Sequence, residues 1–219
     1  MPRQPDTGAA DPAAASALDA YARGEGSEHA ALTALSRARL LVPVVAMLTE
    51  SGPGGGEKES EMALPTLVGN DGRRAMLAFT GLDALGRWDA DARPIPAEAA
   101  RVWQAAVADD CAVVIDVAGP VPLEVTGARL AALAAGDPVP LAHLDPDVRA
   151  EVSAAIATEP SIAGVSLAQG GGDADLAVTL ELLPGSTDAA AARRAATTIA
   201  VRLGGRLRRG IEFAAAPRE

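Results

Sequence analysis

The sequence is poor in the residues that carry most metal-binding and nucleophilic chemistry. Its 219 residues include two histidines, one cysteine and, among 19 basic side chains, a single lysine. Cys111 has no second cysteine to pair with, which excludes an internal disulfide and agrees with a reducing compartment. His29 and His143 have no partner at metal-ligand spacing. We therefore expect no metal site, no cofactor and exposed histidine side chains.

Aromatic residues and basic surface are scarce as well. Only 2% of the residues are aromatic, so the 49% apolar content must come mainly from small aliphatic side chains that pack by close backbone approach. The net charge of −10 disfavours nucleic acid as a partner, because nucleic-acid surfaces are normally basic. Abundant Ala, Gly, Pro and Arg are typical of a GC-rich coding sequence and predict a bacterial source.

Long apolar runs are absent too. The longest, Leu40 to Leu48, has nine residues and contains Pro43, which is less than half of a membrane-spanning helix. The first fifteen residues have no apolar stretch of the kind found in a secretory signal. We therefore predict a cytoplasmic protein without membrane contact.

The order of patterns predicts an α+β protein with two small domains, each a mostly antiparallel sheet covered by helices. In the C-terminal part, apolar residues alternate from Leu176 to Leu182, as in a strand with one buried face. The surrounding pattern there reads α-β-β-α-β, with Leu207, Ile211 and Phe213 pointing inward near the end. The predicted divisions are a disordered or loosely helical tail (1–26), an α+β domain (27–136), a linker (137–144) and a second α+β domain (145–219).

The N-terminal domain has clear strand and turn signals. The run from Cys111 to Val117 is almost wholly apolar and predicts its most buried strand. Gly69 to Gly72 predicts a hairpin turn, because Asn and Gly tolerate positive φ. The segment Arg93 to Pro96 contains two prolines and is expected to break helical structure before a helix from Ala97 to Asp109.

No complete catalytic constellation is visible, so we predict no catalytic residues. The stretch Gly52 to Lys58 superficially resembles a phosphate loop, but Glu57 stands where glycine must precede the lysine. Lys58 is nevertheless the one lysine of an arginine-rich chain and lies in a polar loop, where binding residues concentrate. The alternative is a solvated charge run.

A small zwitterion would need a cation for its carboxylate and an anion for its ammonium. Lys58 or Arg74 could supply the cation, and Glu61 or Asp116 the anion, if the fold brings them together. Asp116 could instead cap the turn that follows its strand.

Arginine is concentrated near the end of the chain. From Thr187 onward there are seven arginines against three acidic residues. Arg206 and Arg208 are predicted to face away from the core and could bind an anionic partner. The alternative is a charged edge strand that resists aggregation.

Several segments together resemble one family. They are Leu41 to Ala46, Lys58 to Met62, Asp71 to Arg73, Ala78 to Thr80, Trp88 and Val114 to Pro120, and, in the C-terminal part, Leu183 to Gly185 and Gly210 with Ile211. In this combination the chain resembles the SseB family, the enhanced serine sensitivity proteins, over most of residues 27 to 215. The resemblance implies an α+β N-terminal domain, a small C-terminal domain and a connection with serine tolerance. It brings no catalytic residues with it.

These observations lead to one functional hypothesis and two alternatives. We expect a non-enzymatic binding or regulatory protein that acts on a protein partner or a small amino-acid-like ligand. One alternative is an enzyme that uses Lys58 and nearby carboxylates at the same loop. The other is a scaffold whose C-terminal sheet pairs with a second copy to form a homodimer.

Overall fold

A computed structural model describes residues 7–48, 60–63, 65–69, 72–184, 186 and 188–217. The chain divides into two compact units: unit 1 comprises residues 1–15 and 34–137, and unit 2 comprises residues 16–33 and 138–219. The chain begins with helices α1 (Pro12–Ala22) and α2 (Glu28–Leu35). Ala14 and Tyr21 of α1 are buried, so this stretch of the predicted tail is part of the folded structure.

Unit 1 continues with an alternation of strands and helices that confirms its α+β class. The elements are β1 (Arg39–Leu48), β2 (Ser60–Ala63), β3 (Thr66–Val68), β4 (Arg74–Ala78), α3 (Leu82–Trp88), β5 (Arg93–Glu98), α4 (Ala99–Ala108), β6 (Ala112–Ile115), β7 (Leu123–Val125) and α5 (Gly127–Ala135). Their strands form two sheets, with the orders β2-β1-β5 and β3-β4-β6-β7. Paired backbone hydrogen bonds between Leu41 and Phe79, at 2.7 and 2.8 Å, connect the two sheets.

The directions of the strands in the second sheet of unit 1 decide which strand ends lie together. β3 and β4 are antiparallel across the predicted Gly69–Gly72 turn, which confirms that hairpin. β4 and β6 run parallel, with Ala75 opposite Ala112 and Ala78 opposite Ile115. Residues that precede these strands therefore lie at one edge of the sheet, and residues that follow them lie at the other.

The predicted helix break at Arg93 to Pro96 is a strand. β5 pairs antiparallel with β1, and Pro94 lies opposite Pro43. Two prolines are tolerated here because β5 is at the edge of its sheet. An edge strand forms a hydrogen-bond ladder on one side only, so the other side needs no N–H donors. The following helix accordingly begins at Ala99 rather than at Ala97.

One part of the unit 1 core is a cluster around the buried Phe79, against which the half-buried Trp88 packs. Phe79 and Trp88 have ring centroids 5.5 Å apart, and both pack with Leu41, Leu77 and Leu85. Small residues such as Ala84 fill the remaining space, as the shortage of aromatic residues predicts.

Unit 2 has the predicted α-β-β-α-β order. After a short 3-10 helix (Ala142–Leu144) come α6 (Pro146–Ile156), β8 (Ile162–Gln169), β9 (Leu176–Leu182), α7 (Ala189–Leu203) and β10 (Ile211–Pro217). Asp145 caps α6 by accepting a hydrogen bond from the Asp147 amide at 2.8 Å. The sheet order is β10-β9-β8. β8 is antiparallel to β9, but β10 is parallel to it, because helix α7 carries the chain back between them.

The apolar stripes of α6 and α7 cover one face of this sheet. Leu176, Val178 and Leu180 of β9 contact Val152 of α6 and Ile199 of α7 in one buried cluster. The prediction that Phe213 points inward is wrong, since its exposed fraction is 37%. β10 begins only at Ile211, after Gly210 with φ +103°. Leu207 is buried, but it belongs to the turn that precedes the strand.

Residues 16–33 belong to unit 2 through specific contacts with its last turn. The Tyr21 hydroxyl donates a hydrogen bond to the Gly205 carbonyl at 3.0 Å. The guanidinium of Arg208 lies 5.7 Å from the centre of the Tyr21 ring and donates to the Ala22 carbonyl. None of the helices in the described part of the chain combines the length and the apolar character needed to span a bilayer.

Candidate functional site

Of the four residues that the sequence suggested as one ligand site, the structure describes the side chains of Arg74 and Asp116. Lys58 lies outside the described residues. Glu61 lies in β2, where only its backbone is described, opposite Met47 of β1. Pairings that involve either of these side chains stay predictions.

Arg74 and Asp116 lie at opposite edges of one sheet. Arg74 begins β4, whereas Asp116 follows the end of the parallel strand β6. The register places them five residues apart along the strands, which is about 16 Å. The Arg74 guanidinium donates a hydrogen bond to the Asp109 carbonyl at 2.6 Å. These two side chains therefore do not form the two ends of one zwitterion site.

Asp116 holds the turn after β4. Its Oδ1 accepts a hydrogen bond from the Thr80 amide at 2.9 Å, and its Oδ2 accepts one from the Thr80 hydroxyl at 2.7 Å. Asp116 has φ +49°, a conformation that few residues other than glycine adopt. Burial raises the pKa of this carboxyl, although the two hydrogen bonds from Thr80 and the charge of Arg87 act in the opposite direction.

Arg206 does not face away from the core as predicted. The Arg206 guanidinium donates to Glu28 Oε2 at 3.1 and 3.2 Å and to Asp145 Oδ2 at 2.7 Å. Both carboxylates are almost completely buried. The prediction assumed that residue 206 belonged to an edge strand, whereas it lies in the turn between α7 and β10. Arg208 lies in the same turn and is exposed, beside Tyr21.

Unit 2 contains a cavity that sequence reasoning did not find. It has a volume of about 140 Å³ and is lined by the beginning of α2, the segment 140–143, the turn between β8 and β9, and the turn before β10. We call it the unit 2 cavity. Gly170 in its wall has no space for a side chain, because a Cβ there would lie 2.6 Å from the Ala174 carbonyl oxygen.

Asp175 and Arg209 supply charge of both signs to this cavity. The Arg209 amide donates to Asp175 Oδ2 at 3.1 Å, and the Arg209 guanidinium donates to the Gly172 carbonyl at 2.7 Å. Asp175 Oδ1 is buried and accepts no hydrogen bond from the described residues. Burial raises the pKa of Asp175, against the hydrogen bond and the charge of Arg209. The wall thus includes a carboxylate whose charge is incompletely compensated.

Both histidines line the unit 2 cavity, so the prediction of exposed histidine side chains is wrong. His29 and His143 are half-buried, and each has a buried Nδ1 without a hydrogen-bond partner among the described residues. Histidines 114 positions apart gave no signal in the sequence, because only the tertiary fold brings the start of α2 beside the segment 140–143.

These polar groups do not form a metal centre. Among the described residues, no three side chains of His, Cys, Asp or Glu are grouped closely enough to hold a metal ion.

Comparison with known proteins gives one match. The family model described as the SseB protein N-terminal domain matches residues 15–132, which is more than half of the chain. The matched range includes Ser27, Glu28 and His29 of the cavity wall and ends before the other walls. No curated protein matches the chain. No solved structure matches it either.

Proposed function

Because the chain belongs to the SseB family, we propose that it is a non-enzymatic binding protein that holds a small amino-acid-like ligand in the unit 2 cavity. The link with serine tolerance implied by the family resemblance makes serine the first compound to test. A likeness of the C-terminal part to that family stays a prediction, since the matched residues end at 132. Its cytoplasmic location and bacterial source also stay predictions.

The observation that carries this proposal is a small cavity with charges of both signs. Its volume of about 140 Å³ would hold about ten water-sized groups, at roughly 10–15 Å³ for each. That is enough for an amino acid and too little for a nucleotide. Asp175 can bind an ammonium group, and Arg209 can bind a carboxylate, as a zwitterion requires.

The contacts in the wall favour binding over catalysis. The Ser27 hydroxyl accepts a hydrogen bond from the Ala30 amide at 3.1 Å, so this oxygen caps α2. Arg206 is held by two carboxylates. The enzyme alternative needs Lys58, which lies outside the described residues, together with a carboxylate within hydrogen-bond reach.

Calorimetric titration of the whole chain with serine tests the proposal. We expect a saturable heat with one site per chain, together with a rise in Tm at high serine concentration. Arg209→Gln should weaken binding, because the ligand carboxylate loses its cation. Arg202→Gln is the matched control, since Arg202 is exposed on α7 and pairs with Glu151 away from the cavity. Absence of heat with serine and with a panel of other small polar metabolites would contradict the proposal.

A second candidate function, self-association, is favoured by one observation. β10 lies at the edge of its sheet, and its residues after Ile211 are exposed. An exposed edge strand can pair with the same strand of another copy. Light scattering that shows a monomer at high concentration would exclude this candidate.

A further inference from the structure

The charges around the unit 2 cavity are unbalanced. Three almost completely buried carboxylates, those of Glu28, Asp145 and Asp175, lie beside two guanidinium groups, those of Arg206 and Arg209. Among these five groups, carboxylates outnumber guanidinium groups by one. Buried charge is costly unless it is paired, so the cavity favours a positively charged group over a second anion.

The arginine between two of these carboxylates is already occupied. Arg206 donates to both Glu28 and Asp145, and its side chain is 21% exposed. A phosphate or carboxylate that approached Arg206 would meet two carboxylates at the same guanidinium. Arg206 therefore does not provide an anion site.

The third carboxylate has the least complete set of partners. The nearest guanidinium nitrogen to Asp175 Oδ1 belongs to Arg209, at 4.0 Å, which is beyond hydrogen-bond distance. Arg209 directs another nitrogen to the Gly172 carbonyl instead. The Asp175 side chain is only 3% exposed, so bulk solvent screens its charge little.

We propose that the ligand of the unit 2 cavity carries a primary ammonium group and that Asp175 is its counter-ion. This inference rests on the proposed function and specifies its ligand class. An ammonium group is compact and can approach a carboxylate oxygen to about 2.8 Å, closer than the Arg209 guanidinium does. The wall also contains the buried Nδ1 atoms of His29 and His143, which have no hydrogen-bond partner among the described residues, and a neutral imidazole has one nitrogen that accepts.

Arg209 must move aside for the ammonium group to reach Asp175 Oδ1. Its guanidinium is held by one hydrogen bond to Gly172 and by ion pairs at 4.0 Å to Asp173 and Asp175. The side chain is 24% exposed, so it can turn outward without crossing the packed interior. Once released, its guanidinium can bind a carboxylate of the same ligand.

Three compounds of the same skeleton and size test this assignment by titration against the whole chain. Alanine carries an ammonium and a carboxylate, alaninamide keeps the ammonium without the carboxylate, and lactate replaces the ammonium by a hydroxyl. We expect alanine and alaninamide to bind and lactate to bind at least tenfold more weakly. Asp175→Asn should weaken alaninamide binding about ten- to hundredfold, because it removes a charge-assisted hydrogen bond. Glu151→Gln, a change at an exposed carboxylate that pairs with Arg202 away from the cavity, should leave binding unchanged.

The outcomes separate this inference from the proposed function. Binding of lactate as tight as that of alaninamide, or an unchanged affinity of alaninamide for Asp175→Asn, would overturn the ammonium assignment while leaving a binding cavity in place. Absence of binding by all three compounds, and by a wider panel of neutral and anionic metabolites, would overturn both. If Asp175→Asn does not fold, the comparison of the three compounds on the unchanged chain decides the matter.

Discussion

Asp116 shows how a carboxylate at a strand end can be required by the fold itself. It is the acceptor for two groups of Thr80, a buried residue, and it has positive φ. Asp116→Ala should lower the free energy of unfolding by about 2–3 kcal/mol, because it leaves buried donors unpaired and places alanine in a strained conformation. Asp116→Asn tolerates positive φ and keeps an acceptor for the Thr80 amide, so its loss should stay below about 1 kcal/mol.

Urea unfolding of these variants measures both effects, and Asp110→Ala separates them. Asp110 is exposed and has φ +51°, so this control carries the backbone strain alone. A loss for Asp116→Ala no larger than that for Asp110→Ala would show that the Thr80 hydrogen bonds contribute nothing.

We expect the difference in stability between the wild type and Asp116→Asn to depend on pH. Burial raises the pKa of Asp116 in the folded state, so the folded chain holds this proton more tightly than the unfolded chain does. The resulting stabilisation is complete below the unfolded pKa and is lost as pH rises through the folded pKa. The variant has no such proton, so its stability relative to wild type should rise with pH across that interval. A constant difference would contradict the raised pKa.

At the scale of secondary-structure elements, Arg206 joins three of them within unit 2. It connects Glu28 at the start of α2 and Asp145 at the start of α6 to the turn after α7. Arg206→Ala should cost about 3–5 kcal/mol, because it leaves two buried carboxylates without their cation. Arg206→Lys should recover only part of this, since an ammonium cannot reproduce the planar fork of the guanidinium.

Thermal and urea unfolding can compare these variants with a surface ion pair. Arg202 and Glu151 are both about half exposed, so Arg202→Ala should change the free energy of unfolding by less than about 1 kcal/mol. Equal effects of Arg202→Ala and Arg206→Ala would mean that burial adds nothing to the Arg206 cluster.

At the scale of the whole molecule, unit 2 is discontinuous in sequence. Residues 16–33 supply Tyr21 and Glu28, whose partners Gly205 and Arg206 come from the other end of the chain. A fragment of residues 138–219 should therefore unfold at a lower temperature than the same fragment with an added peptide of residues 16–33. Circular dichroism during heating measures this difference. A Tm that is independent of the peptide would support the predicted domain of residues 145–219 as self-sufficient.

Local pattern was enough to predict the elements of unit 2. The alternation from Leu176 to Leu182 has one buried residue at every second position, as the period of a strand requires. Asp145 and Pro146 begin α6 as their capping preferences predict. In unit 1, the Arg93 to Pro96 segment breaks helical structure as predicted, but a pair of prolines does not reveal that the segment is an edge strand. Only its pairing with β1 shows this.

The sequence by itself determined the α+β class, the scarcity of large rings in the cores and the positions of most helices and strands, because these follow from composition and from hydrophobic period. Only the tertiary structure decided the cavity and its charges. His29, His143, Asp175 and Arg209 come from four separate segments, and a residue's distance along the chain says nothing about its distance in space. The same holds for Arg206. The sequence predicts a surface arginine, whereas in the fold its guanidinium pairs with two buried carboxylates that no local pattern assigns to it.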